Sequence, residues 1–286
     1  MGKKILITGC STGFGFEGAK YLAGKGHHVF ATMRGIDAKN AEAAERLRSY
    51  AQDKRVAIDV LELDVTSDAS VAAAVAPLPT IDVLINNAGV GFGGPVEAFS
   101  ADQVTAQLDV NIVGTVRVSK AVLPGMRAQG SGLIIQLSSI AGRLAVPGFG
   151  VYHASKWGLE GLSECMRLEL APFGIDVALV EPGPFSTGFF GNVVRAQDAE
   201  AVAAYAHVDA YLQEFTDNVR SAFEEPEAPT DPMLVVETFE TLINLPAGQR
   251  PLRSVAGLDF GCRALNEAVS PVRQAILSEM GLLESA

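Results

Sequence analysis

A short apolar run that breaks into a glycine-spaced turn constrains the fold more than any other feature of this chain. The stretch reads Lys3-Lys4-Ile5-Leu6-Ile7-Thr8-Gly9-Cys10-Ser11-Thr12-Gly13-Phe14-Gly15. Its β-branched and aliphatic residues have the character of a buried strand, and residues 17–25 take up a helical pattern beyond the turn. Glycines at 9, 13 and 15 allow the backbone to turn tightly and to approach a pyrophosphate at a helix N-terminus. The spacing, T-G-x3-G-x-G, departs from the common G-x-G-x-x-G arrangement. Such a strand-turn-helix opening belongs to an α/β fold with a parallel sheet. Gly9, Ser11, Thr12, Gly13, Phe14 and Gly15 are the turn residues expected to hold a dinucleotide.

The next strand, His28-Val29-Phe30-Ala31-Thr32-Met33-Arg34, speaks to which dinucleotide. An acidic residue about 20 positions after the turn would hold the ribose 2′-hydroxyl of NAD, whereas arginine accommodates the 2′-phosphate of NADP. Arg34 lies 19 residues beyond Gly15, and Met33 fills the acidic place. NADP(H) is therefore the expected cofactor, with NAD(H) the alternative. Further along, Tyr152-His153-Ala154-Ser155-Lys156 places a phenol and an ammonium at i and i+4 of a helical run. Side chains at that spacing share one face, roughly 5–6 Å apart at Cβ. A fixed positive charge nearby favours the phenolate, and the pair can exchange a proton with an alcohol or carbonyl oxygen.

With both motifs present, the chain resembles the short-chain dehydrogenase/reductase family in its compact, single-domain branch. Asn86-Asn87-Ala88-Gly89 is similar to the family's N-N-A-G stretch, which supports the sheet and approaches the cofactor. Asp64-Val65 resembles the segment that contacts adenine, Asn111 falls at the catalytic asparagine, and Pro182-Gly183 with Thr187 is similar to the P-G-x-x-x-T segment near the nicotinamide carboxamide. Two hydroxyls, Ser138 and Ser139, compete for the catalytic serine. The family's usual distance of 13 residues before the tyrosine selects Ser139. Together these motifs run in family order from about residue 5 to residue 187.

The resemblance implies a doubly wound Rossmann-type sheet of about seven strands, with helices on both faces and a helical substrate lid. It implies that Tyr152 exchanges the proton, Lys156 lowers the phenol's pKa and binds the nicotinamide ribose, Ser139 orients the substrate oxygen, and Asn111 holds a relay water beside Lys156. Arg34, Asp64, Val65, Asn87, Ala88, Gly89, Asn111, Tyr152, Lys156, Pro182, Gly183, Phe185 and Thr187 complete the cofactor contacts so implied. Hydride moves to or from the cofactor, and the protein supplies position and electrostatics. Two positions depart from the pattern. Thr12 stands where many NADP-preferring relatives carry a base, so the preference rests on Arg34. Phe14 and Phe16 replace smaller aliphatic residues, and Phe14-Gly15-Phe16 is similar to retinol- and hydroxysteroid-dehydrogenase-like members.

The whole chain fits one dinucleotide-binding catalytic domain over 1–286, with 185–230 as a substrate-covering lid within it. Strands are expected near 4–8, 28–33, 56–64, 81–86, 132–138, 175–181 and 254–259. Ser100 with Gln103 reads as a capping box, and Asp231-Pro232 and Ser270-Pro271 read as caps before a first-turn proline. A net charge of −11 argues against nucleic acid and anionic membrane as partners. The apolar runs fall short of the ~20 residues of a membrane span, and the first residues lead straight into strand one, leaving no room for a signal peptide. Three scattered cysteines and four histidines offer no metal-ligand spacing, so no metal and a reducing, cytoplasmic setting are expected. His153 reads as structural. The acidic stretch 198–231 reads as the solvated face of an amphipathic helix whose stripe is Tyr205, Val208, Leu212, Phe215 and Val219.

The expected substrate pocket gathers Ser139, Phe92, Leu144, Val146, Phe149, Phe189 and Phe190, nearly all apolar. Arg143, the nearest cation, reads as a solvent-facing loop residue. These residues point to a neutral, hydrophobic secondary alcohol or ketone of steroid, terpenoid, retinoid or aryl type. The family resemblance adds a homodimer or homotetramer built through the helices of Asn111 and Tyr152. A catalytically silent NADP-binding regulatory protein is the reading from another class. It would typically lack Tyr152 or Lys156, and both are present.

Overall fold

The computed structural model describes residues 2–225 and 227–282; positions 1, 226 and 283–286 of the expected domain and lid lie outside them. Seven strands form one parallel sheet: β1 (Lys4–Ile7), β2 (His28–Met33), β3 (Ile58–Glu62), β4 (Val83–Asn86), β6 (Gly132–Leu137), β7 (Ile175–Pro182) and β9 (Arg253–Ala256). Their order is β3-β2-β1-β4-β6-β7-β9. The direction of winding reverses between β1 and β4, and a crevice opens beyond the carboxyl ends of strands at such a switch point. Phe92–Gly93 (β5) and Val194–Arg195 (β8) pair separately as a two-stranded ribbon that the sequence does not announce.

Strand alternation sends side chains to two helical layers. Ile5, Ile7, Ile85, Ile135 and Val180 pack against α1 (Gly13–Gly24), α2 (Ala41–Lys54) and α9 (Met233–Asn244) through Phe16, Leu22, Leu47 and Phe239. Leu6, Leu84, Ile134 and Val177 face the other way, onto α3 (Asp68–Val75), α5 (Gly114–Gln129) and α6 (Gly150–Leu170) through Val71, Val118, Val122 and Met166. Parallel strands buried on both faces carry this near-continuous hydrophobicity.

The capping box at Ser100 and Gln103 opens α4 (Ala101–Leu108), and Asp231 accepts from the Met233 amide at 2.9 Å as α9 begins. Ser270-Pro271 does not start a helix. The last helix, α10, runs Cys262–Glu279 straight through Pro271. Gly261, at φ +86°, already ends the preceding loop, and the carbonyl that loses its partner to the proline lies on exposed Glu267, where solvent can satisfy it. The third strand is shorter than expected, and the last ends at Ala256 because Gly257 takes a φ of +77°.

Beyond β7 the chain turns through β8, then α7 (Ala199–Ala204) and α8 (Ala206–Glu224). Val208, Leu212 and Val219 form the buried stripe of α8, and Tyr205 anchors its start through a 2.7 Å bond to Glu97. Among the described residues no helix is long and apolar enough to cross a membrane.

Candidate active site

One cleft of about 800 Å³ lies over the switch point, and residues of both motifs line it. Its first wall is the turn after β1. Gly9 and Gly13 hold φ of +73° and +58°, and a Cβ on Gly9 would come within 2.8 Å of the Ala88 backbone. Thr8 fastens this turn to the N-N-A-G segment: its hydroxyl accepts the amides of Asn87 and Ala88, both at 3.0 Å. Asn87 returns two bonds from Nδ2, to the carbonyls of Thr8 at 2.8 Å and Gly9 at 3.0 Å. Asn86, facing the other way, donates to Ser119 on α5. The cleft wall here is thus backbone held in place by buried polar side chains.

At the open end of this wall, Arg34 approaches Asp64 at 3.9 Å, and Lys39 and Asn40 join them around the cleft. Burial works to raise the Asp64 pKa, but the amide and hydroxyl of Thr66 and the charges of Arg34 and Lys39 outweigh it, so the carboxyl is held below its usual value. Lys39 escaped the sequence reading. Its signal was a second cation five residues after Arg34 in the same loop, a position that becomes relevant only once the loop folds back.

In the middle of the cleft, α6 brings Tyr152 and Lys156 to face the end of β6. Ser139 stands beside the phenol; its hydroxyl accepts the Ala141 amide at 3.1 Å and donates to the Pro182 carbonyl at 3.3 Å. Tyr152 sits among Phe149 and Phe189, with ring centroids at 6.4 and 5.4 Å. Burial pushes its pKa up to about 12, against the lowering effect of Ser139. Burial likewise pulls Lys156 down to about 8, against the raising effect of Glu160. The ammonium donates to the Leu137 carbonyl at 2.7 Å and stands 5.8 Å from the phenol ring's centre, and desolvation dominates both groups.

Asn111 lies in a π-helical turn, residues Asp109–Val113, the kind of irregularity that often marks functional helices. Its side chain exchanges two hydrogen bonds with the Val90 backbone and donates to Ser155 at 3.0 Å. It does not open onto the cleft, because those three bonds hold it between α6 and the Gly89-Val90 loop. Gly15 is also set back: a Cβ there would meet Asn87 Nδ2 at 2.5 Å and the Gly9 carbonyl at 2.6 Å, so it fixes the packing of α1 against the turn. His153 accepts the Val146 amide at 3.0 Å on Nε2 and pairs with the Ala141 carbonyl at 2.8 Å on Nδ1, which fixes the neutral Nδ1–H tautomer and pins the loop between.

The far end of the cleft is aromatic. Leu144, Val146, Phe149, Phe189 and Phe190 line it as expected, joined by Tyr211, Phe215 and Phe260 from α8 and the loop before α10. Phe92 does not. It is 6% exposed in β5, with its ring turned onto Phe99. Arg143 is half-buried rather than solvent-facing, donating to Asn266 at 2.8 Å. Val65, Ala88, Gly89, Pro182, Gly183, Phe185 and Thr187 all reach the cleft, Phe185 packed edge-on to Phe14 at 5.4 Å.

The chain matches the family model for short chain dehydrogenases over residues 3–198. It is 36% identical over 249 residues to 17-beta-hydroxysteroid dehydrogenase type 1 of Homo sapiens, covering 85% of this chain and 74% of that protein. Retinol dehydrogenase 8 of Homo sapiens is 41% identical over 196 residues, 67% of this chain and 62% of that one. A solved short-chain dehydrogenase from Sphingobium yanoikuyae in complex with NADPH superposes with a TM-score of 0.73 at 25% identity, covering 96% of this chain and 95% of that structure. The chain belongs to the short-chain dehydrogenase/reductase family and is an oxidoreductase.

Proposed function

We propose that this short-chain dehydrogenase is an NADP(H)-dependent enzyme interconverting a secondary alcohol and its carbonyl on a neutral, hydrophobic substrate. The observation that carries the reading is the single cleft joining a backbone cradle, a Ser139-Tyr152-Lys156 cluster and an aromatic chamber. The cradle fits a dinucleotide: Gly9 stands where a side chain would collide with the Ala88 backbone, and the start of α1, from Thr12 to Phe14, lines the cleft. Arg34 and Lys39 beside Asp64 fit the 2′-phosphate of NADP, supplying the cations that Thr12 lacks.

A bound nicotinamide cofactor would supply or accept the hydride. The chain's own residues handle the oxygen and its proton. With its pKa at about 12 the Tyr152 side chain is a neutral phenol at pH 7, poised to donate to a carbonyl oxygen. Ser139, beside that phenol in the cleft, is placed to orient the same oxygen. Lys156, still largely protonated at pH 7, would stabilise the phenolate left after transfer and bind the ribose. Asn111 would order the Lys156 side of the site through Ser155 and Gly89, the route by which a relay water could be held.

The chamber supports the substrate class. Phe149, Phe189, Phe190, Phe215 and Phe260 surround the space beyond Tyr152, and among the described residues no charged side chain lines that end. Residues 185–230 form the lid of this reading. Assembly through the Asn111 and Tyr152 helices belongs to it too: Val113, Val116 and Trp157 remain 42, 39 and 49% exposed there. Three free cysteines fit a reducing compartment.

The test is an initial-rate panel with NADPH: bulky neutral ketones of steroid, terpenoid and aryl type against small charged keto acids. Preference for the first group supports the reading, and preference for the second contradicts it. Tight NADPH binding with no turnover on any carbonyl would favour the regulatory alternative.

A further inference from the structure

Directly behind the catalytic cluster is a set of buried charges that the reaction as described does not use. Glu160 is 3% exposed on α6, and Glu181, the last residue before Pro182-Gly183, is 0% exposed. Both reach for one guanidinium: Arg253 Nε is 2.9 Å from Glu160 Oε2 and 3.4 Å from Glu181 Oε1. The same arginine also pairs with Glu164, which has a second partner in Arg273 at 3.0 Å. Asn266 donates to Glu181 at 2.5 Å, the Cys262 thiol lies 3.8 Å from the same oxygen, and Arg143 approaches through Asn266. Two buried carboxylates thus share one cation, and Glu160 Oε1 and Glu181 Oε1 have no hydrogen-bond donor of sound geometry among the described residues. Like charges so placed cannot both ionise freely.

Glu160 also stands one helical turn beyond Lys156, on the same buried face of α6. The two side chains meet consecutive residues of one strand end. Lys156 Nζ donates to the Leu137 carbonyl, and the Ser138 side chain lies near Glu160. Gly142 leaves the room this requires, since a Cβ there would lie 2.9 Å from both Glu160 Cγ and Ser138 Oγ.

We propose that Glu160 is a positioning residue for Lys156: its buried carboxylate is the counter-charge that keeps the ammonium charged beside the reacting phenol. Burial alone drives the lysine towards the neutral amine, and Glu160 opposes it. Burial first, and then the charge of Glu160, pushes Glu181 up to about 7. The groups facing this pair are Lys156 and Glu164 on their own helix, Arg253 on β9, Arg143 in the loop after β6, and Cys262, Asn266 and Arg273 on α10. The proposal rests on the catalytic role given to Lys156 above.

The test follows the ε-methylene carbon resonance of Lys156 against pH in the full chain, assigned by its loss in Lys156→Arg. In Glu160→Gln the Lys156 midpoint should fall by about one pH unit, and Glu160→Asp should restore most of it. In Glu181→Gln the Glu160 carboxylate is kept, and the midpoint should move by less than it does in Glu160→Gln. A purely structural network would change thermal stability in all three variants and leave the midpoint where it was. That result, or a fall in Glu181→Gln as large as in Glu160→Gln, overturns the proposal, and Glu160→Met decides if Glu160→Gln does not fold. Because the titration needs no substrate, an inactive wild-type protein whose Lys156 responds would sink the proposed reaction without touching this inference.

Discussion

The two ends of the cleft are built on different principles. The cradle end is backbone: glycines at positive φ, amides at the start of α1, and Thr8 and Asn87 locking two loops together with four hydrogen bonds. The chamber end is side chain: rings contributed by the α6 entry, the loop after β7, α8 and the loop before α10. A backbone site admits one kind of ligand, because its shape is fixed by where a Cβ can stand. An aromatic chamber can be re-lined without disturbing the sheet. In the proposed reaction one end would hold the cofactor and the other the substrate, with Tyr152 at the junction.

That division can be broken experimentally, beginning at the junction. Tyr152→Phe should lower turnover by about 10²–10⁴-fold, the usual worth of a general acid, and leave NADPH binding unchanged. A parallel loss of binding would show that the phenol belongs to the cradle. Lys156→Met should also abolish turnover yet raise stability. Holding a buried lysine at about 8 instead of 10.5 costs about 3 kcal/mol at pH 7, and losing the bond to Leu137 offsets about 1 of it. The gain, about 2 kcal/mol, should be read by denaturant unfolding. The sign follows from proton binding: the unfolded lysine holds its proton up to a higher pH than the folded one. The penalty is therefore complete below about 8, and the advantage of methionine should shrink as pH rises from there towards 10.5.

Within the cradle, Arg34→Ala should weaken NADPH by about 10- to 100-fold, the range of a charge-assisted contact, and leave NADH unaffected; Lys39→Ala should do the same more weakly. Equal losses for both cofactors would place these cations outside 2′-phosphate recognition. Smallest of all, Phe215→Ala should raise KM for bulky ketones by about 2- to 10-fold, an aromatic packing effect. It should spare small ketones and NADPH binding, and a change in NADPH affinity would erase the boundary between the two ends.

The same contrast explains what could be read without coordinates. Gly9, Gly13, Asn87, Tyr152 and Lys156 act through fixed spacing on one strand, one turn or one helix, so their pattern survives in one dimension. The chamber is assembled by tertiary contact. Tyr211, Phe215 and Phe260 come from two separate elements, and nothing in their local pattern separates a cleft ring from a core ring. Phe92 shows the converse: it follows a recognisable motif, but the unannounced pairing of β5 with β8 turns it onto Phe99. The buried Glu160-Glu181-Arg253 set was equally hidden, since the sequence shows three ordinary charges spread over three elements. The elevated Tyr152 pKa, too, depends on desolvation that only the packed rings reveal.

The most direct test of the account is a pair of fluorescence titrations of the purified protein, one with NADPH and one with NADH. It predicts binding of both through the shared cradle, with NADPH at least ~10-fold tighter through the extra charge-assisted contacts of Arg34 and Lys39. Equal affinities, or tighter binding of NADH, would contradict the cofactor assignment.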